Sequence, residues 1–167
     1  MLTENELIKF RRELHSYPET GWCEFVTTHK IVEKLRSFGL DPIYGRQVIN
    51  PEFVAGRNPA KVEEAKKAAL DKGVPPEFIE SMQDYTGVAA IFETGRPGPV
   101  LAIRFDMDCV DVDEAHEAGH RPFDEGWAST NPGHMHSCGH DGHATMGIAV
   151  CNWIQENLDQ FCGTIKV

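Results

Sequence analysis

The chain has 167 residues, which is the length of one domain of ordinary size. Hydrophobic residues make up 41% and charged residues 25%, values that exclude a disordered, collagen-like or coiled-coil chain. The formal net charge of −10, from 16 basic and 26 acidic residues, argues against nucleic acid and anionic membrane surfaces as partners. No apolar run approaches the roughly 20 residues that cross a bilayer, and the N-terminus does not resemble a signal peptide. The five cysteines are scattered and form no disulfide framework, so we expect a cytoplasmic protein.

Two amphipathic helices are predicted at the start of the chain. Thr3 and Glu6 form a capping-box pattern at the N-terminus of the first helix, and its apolar stripe ends before Pro18. The second helix covers about residues 24–38, with Gly39 where a C-terminal cap belongs.

A short extended segment at about residues 42–48 leads into a polar insert at about residues 50–86. The insert divides into two short helices, since Asn58 ahead of a proline marks one start and a proline pair at 75–76 marks the other. Such an insert is either a lid or partner surface or a surface elaboration, and we favour the surface elaboration.

The second half of the chain alternates strands and a helix. The strands GVAAIFET and PVLAIRF are separated by a compact GRPG turn, which predicts a β-hairpin. A loop rich in glycine, proline and histidine covers residues 106–140, a helix follows at about residues 141–158, and GTIKV begins another strand. This order predicts an α/β layered fold, and a chain that ends on a core strand is expected to be part of a longer domain.

The segment HMHSCGHDGH, at residues 134–143, carries the strongest chemical signal. His136, Cys138 and His140 are spaced by two, so they project to one side if the backbone is extended. Imidazole and thiolate suit Zn²⁺ best among common ions, with Mn²⁺, Co²⁺ and Fe²⁺ as further candidates. Asp141 fits two roles, as the N-cap of the next helix or as a hydrogen-bond partner of a ligating histidine. The alternative is a histidine-rich surface loop, and the density of metal-binding side chains argues against it.

Asp106 and Asp108 form a second signal at the end of the PVLAIRF strand. Their spacing points both carboxylates to one face, at the strand end where open α/β sheets place their sites. Buried anions need a compensating cation, which is either a metal held by the HMHSCGHDGH segment or Arg104. An isolated pair of this kind is more often the solvated start of a loop, but that segment favours the metal.

Other candidates are weaker. His134 and His143 are outer members of the histidine cluster, and the sequence does not decide whether they bind metal. His15 and Glu19 either approach a site or form a structural helix end, and we favour the helix end; Cys109 is interpreted as a core thiol. The sequence contains no GxSxG elbow, P-loop, dinucleotide-binding glycine pattern or HExxH motif.

Four stretches together resemble the M20 family of metallopeptidases and amidohydrolases: FRRELHSYPETGWCE, LAIRFDMDCVDV, HSCGHDGHATMG and GTIKV. The more similar branch contains the N-acyl-amino-acid amidohydrolases, and the long insert is similar to that of the p-aminobenzoyl-glutamate hydrolase A-subunit group. The resemblance covers essentially the whole chain. It implies a partial zinc-exopeptidase-like catalytic domain with a mixed sheet flanked by helices, in three αβα layers.

The resemblance also implies an activity and a site. The activity is hydrolysis of the amide bond of N-acyl or N-aroyl amino acids or small peptides, by water activated on two divalent ions, Zn²⁺ or Mn²⁺. Cys138 and His140 are then metal ligands, and Asp108 is the carboxylate that supports a ligand. Asp106 stands where other branches have a metal-binding histidine, so it is the weakest ligand of the set and Cys138 fills the vacated role. The complete enzyme is expected to be a homo- or hetero-oligomer.

One departure from the family pattern is large. In the family a Glu-Glu pair with the general base, further ligands, a dimerisation domain and the C-terminal half of the catalytic domain follow the GTIKV-like strand. None of these is in the sequence, so we expect residues 1–167 to be the N-terminal part of a catalytic domain, with a helical insert at about 50–86, and to be inactive alone. The alternatives are a non-catalytic metal-binding or partner-binding module, one piece of a split enzyme, or a metal-free thiol protein.

Overall fold

The computed structural model describes residues 2–167 as six helices and five short strands. The helices are α1 (Glu4–His15), α2 (Phe25–Arg36), α3 (Pro59–Asp71), α4 (Pro76–Met82), α5 (Arg121–Asp124) and α6 (His140–Glu156). The strands are β1 (Ile43–Tyr44), β2 (Val88–Ala89), β3 (Ile91–Glu93), β4 (Val100–Ala102) and β5 (Thr164–Lys166). Across this described part, no helix combines the length and the apolar character needed to cross a membrane.

The first helix begins at the capping box that the sequence predicts. Glu6 N donates to Thr3 Oγ1 at 3.3 Å, and Thr3 N donates to Glu6 Oε2 at 2.8 Å. These two bonds satisfy backbone donors that the first turn of a helix leaves free, and they fix where α1 starts.

The strands form two small sheets. β1 and β2 pair antiparallel, and the larger sheet has the order β3-β5-β4. Within it, β5 runs antiparallel to β3 and parallel to β4. The mixed sheet and its packed helices confirm the predicted α/β class.

The predicted hairpin between β3 and β4 is wrong, because β5 lies between these strands. Backbone oxygens of the connecting turn accept hydrogen bonds from residues at the start of β5. Gly163 N donates to Arg96 O at 2.9 Å, and Thr164 N donates to Pro99 O at 3.0 Å. A side chain at Gly98 would place its Cβ 2.6 Å from Gly163 N, so the close approach needs glycine there. The turn therefore wraps over the incoming strand instead of closing a hairpin.

The main core packs α1, α2 and α6 against the larger sheet. Its largest buried side chains come from all four components: Phe10, Leu14, Ile31, Leu35, Phe92, Ile148, Ile154 and Ile165. Burial of this apolar surface is the main force that holds α6 in place, and the site described below lies at the N-terminus of α6.

A second core joins the insert to α2. The buried side chains of α3 and α4 pack against the face of α2 that points away from the main core, and they include Val62, Ala69, Phe78, Ile79 and Met82. Phe78 also stacks on Tyr44 with ring centroids 4.7 Å apart. The insert therefore shares a hydrophobic core with α2.

The long loop after β4 returns to its own beginning. Val110 and Met135 exchange backbone hydrogen bonds of 3.3 and 3.2 Å, and Cys109 N donates to Glu19 O at 2.8 Å. These contacts bring the end of the loop back to the end of β4. As a result, His140 at the start of α6 lies beside Asp108.

Candidate metal centre

His140 and Asp108 make the central contact of the site. His140 Nδ1 lies 2.9 Å from Asp108 Oδ1 and 3.1 Å from the backbone oxygen of the same residue. Both oxygens accept, so Nδ1 carries the hydrogen and Nε2 presents its lone pair. A carboxylate that accepts a hydrogen bond from one ring nitrogen of a histidine fixes the orientation of the ring. It also makes the other nitrogen a better metal ligand.

Asp106, His140 and His143 offer three ligand atoms that lie within 4.8 Å of one another. Asp106 Oδ2 is 3.9 Å from His140 Nε2 and 3.8 Å from His143 Nδ1. The two imidazole rings stack with centroids 5.2 Å apart, and all three residues are half-buried. Two nitrogens and one carboxylate oxygen fit Zn²⁺, Mn²⁺ or Co²⁺.

Arg104 supplies a local positive charge to this cluster. Its guanidinium forms a salt bridge with Asp106 Oδ1, while its side chain remains largely exposed. The other oxygen of Asp106 faces the two histidines. Of the two cations expected from the sequence, Arg104 contacts this carboxylate, and the oxygen that faces the histidines is free of Arg104.

The HMHSCGHDGH segment is not extended, so the predicted projection of His136, Cys138 and His140 to one side is wrong. Gly139 N donates to His136 O at 3.1 Å, which closes a turn, and α6 begins at the next residue. Gly139 is the N-cap of α6 at φ +83°, a backbone conformation that glycine adopts easily. The prediction of Asp141 as the N-cap is therefore also wrong.

The structure brings together only part of the predicted ligand set. His140 and Asp106 are in the cluster, whereas Cys138 is exposed and places its Sγ 3.7 Å from the backbone oxygen of Asp108. His143 joins them, although the sequence left its role open. Its spacing of three from His140 was the available signal, since residues three apart share a face of a helix.

His136 is buried and has no hydrogen-bond partner at either ring nitrogen. Burial lowers the pKa of its imidazole to about 4, so the ring is neutral near pH 7. Its centroid lies 6.3 Å from that of His15. His136 thus faces the protein interior and stays apart from the cluster of Asp106, His140 and His143.

Asp141 makes its hydrogen bonds away from the clustered histidines. Its Oδ2 accepts from His15 Nδ1 at 2.9 Å and from Arg11 Nε at 3.1 Å. The predicted partnership with a ligating histidine is therefore wrong for this residue. Asp108 makes that contact instead, with His140.

Comparison with known proteins supports the family resemblance. The model of the Peptidase family M20/M25/M40 matches residues 102–167. A Haemophilus influenzae homolog of the p-aminobenzoyl-glutamate hydrolase A-subunit is 44% identical over 164 residues, which are 98% of this chain and 39% of that protein. Indole-3-acetyl-aspartic acid hydrolase from Enterobacter agglomerans is 39% identical, over 97% of this chain and 38% of its own length. The chain thus spans about two fifths of the length of these relatives.

Solved structures give the same result for the fold. An aminobenzoyl-glutamate utilization protein from Klebsiella pneumoniae superposes with a TM-score of 0.73 at 27% identity, over 97% of this chain and 35% of that one. A Bacillus subtilis protein described as a dinuclear metal binding peptidase superposes with a TM-score of 0.65 at 25% identity, over 97% and 33% of the two chains. The sequence and the fold together show that this chain belongs to the M20 peptidase family.

Proposed function

We propose that the chain carries part of the active site of a hydrolase that cleaves the amide bond of N-acyl or N-aroyl amino acids. Aminobenzoyl-glutamate-like compounds and dipeptides are the proposed substrates. The observation that carries the proposal is the grouping of Asp106, His140 and His143 around a free imidazole nitrogen, with Asp108 behind His140. The names of the relatives support the substrate class, since they refer to hydrolysis of aminobenzoyl-glutamate and indole-acetyl-aspartate.

The chain's own residues have distinct roles in this proposal. His140 is the principal metal ligand, and Asp108 orients its ring. Asp106 and His143 complete one face of the site, and the exposed thiol of Cys138, which lies 3.7 Å from the backbone oxygen of Asp108, is proposed as a further ligand. When bound, two divalent ions, Zn²⁺ or Mn²⁺, would supply the acidity that activates water and polarises the amide carbonyl.

We further propose that residues 1–167 are the N-terminal part of the catalytic domain, with an insert at about 50–86, and that the general base and remaining ligands lie outside them. The relatives are more than twice as long as the matched region. Three clustered ligands and one adjacent thiol are also few for two ions that each need about four. The chain alone would then bind metal without catalysing hydrolysis, and the complete enzyme would be a homo- or hetero-oligomer.

Metal content and hydrolysis test this proposal together. Chelator-treated chain is reloaded with Zn²⁺ or Mn²⁺ and analysed by mass spectrometry, with His140→Ala, Cys138→Ser and the control Cys162→Ser, whose thiol is also exposed. We expect bound metal in the unmodified chain and the control, a loss in His140→Ala and a decrease in Cys138→Ser.

The activity itself is measured on the product of the whole reading frame that contains these residues. We expect metal-dependent release of p-aminobenzoate from p-aminobenzoyl-glutamate, abolished by His140→Ala, and none from the 167-residue chain alone. Metal binding by the whole product without hydrolysis of any N-acyl amino acid would favour a non-catalytic metal-binding module. Hydrolysis by the short chain would contradict its proposed incompleteness.

A further inference from the structure

His15, at the end of α1, has a carboxylate at each ring nitrogen. Its Nδ1 lies 2.9 Å from Asp141 Oδ2, and its Nε2 lies 3.0 Å from Glu114 Oε1. His15 is 4% exposed, and both carboxylate groups are fully buried. Because an ionised carboxylate only accepts, both ring nitrogens must donate, and His15 is held as a positively charged imidazolium.

The two carboxylates belong to different segments of the molecule. Asp141 lies in the first turn of α6, next to His140, and its Oδ1 accepts from Gly142 N at 2.8 Å. Glu114 lies in the loop after β4, where it also accepts from His120 Nε2 at 2.8 Å and from the backbone N of Ser129. His15 therefore joins α1, the long loop and the start of α6 at one buried point.

The buried carboxylates at this junction are balanced by positive charge. Two buried anions cost free energy unless cations meet them at hydrogen-bond distance. Arg11 also contacts Asp141, but its side chain is half exposed, so His15 is the buried cation that bridges both carboxylates. Burial opposes the charge on His15, yet its hydrogen bonds to Asp141 and Glu114 outweigh burial and raise its pKa.

We propose that His15 is a positioning residue for the metal centre: by clamping Asp141 against Glu114 it fixes the first turn of α6 and hence the ring of His140 against Asp108. The inference rests on the proposed function, since it assigns His140 as the ligand being positioned. His15 acts only through Asp141. It contacts none of the clustered ligand atoms.

The first test is metal affinity in His15→Gln, measured by Co²⁺ titration of the 167-residue chain with its visible spectrum as a second signal. Loss of a group that directly orients a ligand typically weakens metal binding by about 10- to 100-fold. Because His15 acts through Asp141, we expect a loss of no more than about tenfold, with an altered cobalt spectrum. The matched control is Arg12→Met. Arg12 joins α1 to the same loop through Glu125 at 2.6 Å and lies over Trp127 at 5.0 Å. Equal losses in both variants, or no loss in His15→Gln, would overturn the proposal.

The second test needs no metal. Nitrogen-15 spectra of the histidine rings in the metal-free chain should show both nitrogens of His15 protonated and His140 as a single tautomer with hydrogen on Nδ1. In folded His15→Gln, we expect His140 to become a mixture of tautomers, and an unchanged His140 would overturn the inference. If the unmodified chain binds no metal while this change is seen, metal binding by the short chain fails and the positioning by His15 is supported. The proposed hydrolysis fails separately, if the product of the whole reading frame cleaves no N-acyl amino acid.

Glu114→Gln provides the same test should His15→Gln unfold. It keeps the shape of the side chain and removes one of the two charges that face His15. We expect the pKa of His15 to be lower than in the unmodified chain, because one of the two carboxylates that raise it is gone, and the tautomers of His140 to change as in His15→Gln but by a smaller amount. An unchanged pKa of His15 together with an unchanged His140 would contradict the proposal.

Discussion

Two oxygens of Asp108, one from the side chain and one from the backbone, accept from His140 Nδ1. This double contact predicts the effect of replacing Asp108. In Asp108→Asn the side chain keeps an oxygen but loses its charge, while the backbone oxygen at 3.1 Å from His140 Nδ1 remains. We expect Zn²⁺ affinity to fall by about tenfold, the lower end of the range for such partners. A competition titration against a zinc chelator measures it. Asp113→Asn is the control, because Asp113 accepts from Gly133 N at 2.7 Å outside the cluster, and equal losses would contradict the prediction.

Single residues were predictable where their chemistry was local in sequence. The spacing of Asp106 and Asp108 placed two carboxylates at a strand end, and the histidine cluster indicated a metal. The extended backbone considered for residues 136–140 was wrong, because a turn at Gly139 interrupts it, and the expected projection of Cys138 to the same side as His140 was wrong with it. The contact between His15 and Asp141 could not be predicted from the sequence. The two residues are 126 positions apart along the chain, and no local pattern connects them.

At the scale of elements, the contact between α6 and the end of β4 sets the geometry of the site. Gly147 of α6 faces Phe105, which directly precedes Asp106. A Cβ at Gly147 would lie 2.9 Å from Phe105 Cδ2 and 3.1 Å from its Cγ, so the ring must move. The packing of α6 at Gly147 therefore affects where Phe105, and with it Asp106, is placed.

Gly147→Ala is therefore expected to destabilise the fold. Overpacking costs about 1–3 kcal/mol, which exceeds the gain of about 1 kcal/mol from replacing glycine with alanine in a helix. Gly142→Ala, in the first turn of the same helix, is the control, because its Cβ would meet only Arg11 Nε at 3.9 Å. Urea unfolding compares the two variants. A Gly147→Ala protein as stable as Gly142→Ala would show that Phe105 moves without cost.

The helices were easier to predict than the strand pairing. Capping residues, apolar periodicity and prolines act within a few residues, so α1 begins where Thr3 and Glu6 indicate. The hairpin prediction was wrong because two strands that follow each other in the sequence need not pair when a later strand inserts between them. β5 begins more than 60 residues after the end of β4, and it lies between β3 and β4 in the sheet. Pairing of this kind is decided by tertiary packing.

At the scale of the whole molecule, a chain with a net charge of −10 also buries some of its carboxyl groups. Glu19 is 6% exposed, and its two oxygens accept from Val26 N at 3.0 Å and Thr27 N at 2.7 Å at the start of α2. Its backbone oxygen accepts from the backbone N of Cys109, next to Asp108. This glutamate therefore links the N-terminus of α2 to the strand end that carries the site.

The ionisation of Glu19 should make stability depend on pH. Burial raises its pKa from 4.5 to about 7, although the hydrogen bonds from Thr27 and Val26 oppose the shift. The folded state thus favours the protonated form, so the contribution of Glu19 to stability is complete below pH 4.5 and is lost as the pH rises through 7. At 1.36 kcal/mol per pKa unit, the loss is about 3 kcal/mol.

Glu19→Gln should remove this dependence, because glutamine does not ionise. Urea unfolding at pH 4.5 and at pH 7.5 measures the free energy of unfolding for the variant and the unmodified chain. We expect the stability of the unmodified chain relative to Glu19→Gln to decrease by about 3 kcal/mol between the two pH values. The control is Glu77→Gln on the exposed surface of α4, which should follow the unmodified chain at both. If Glu19→Gln follows it as well, the pKa of Glu19 in the folded protein is close to 4.5, and the hydrogen bonds from α2 balance its burial.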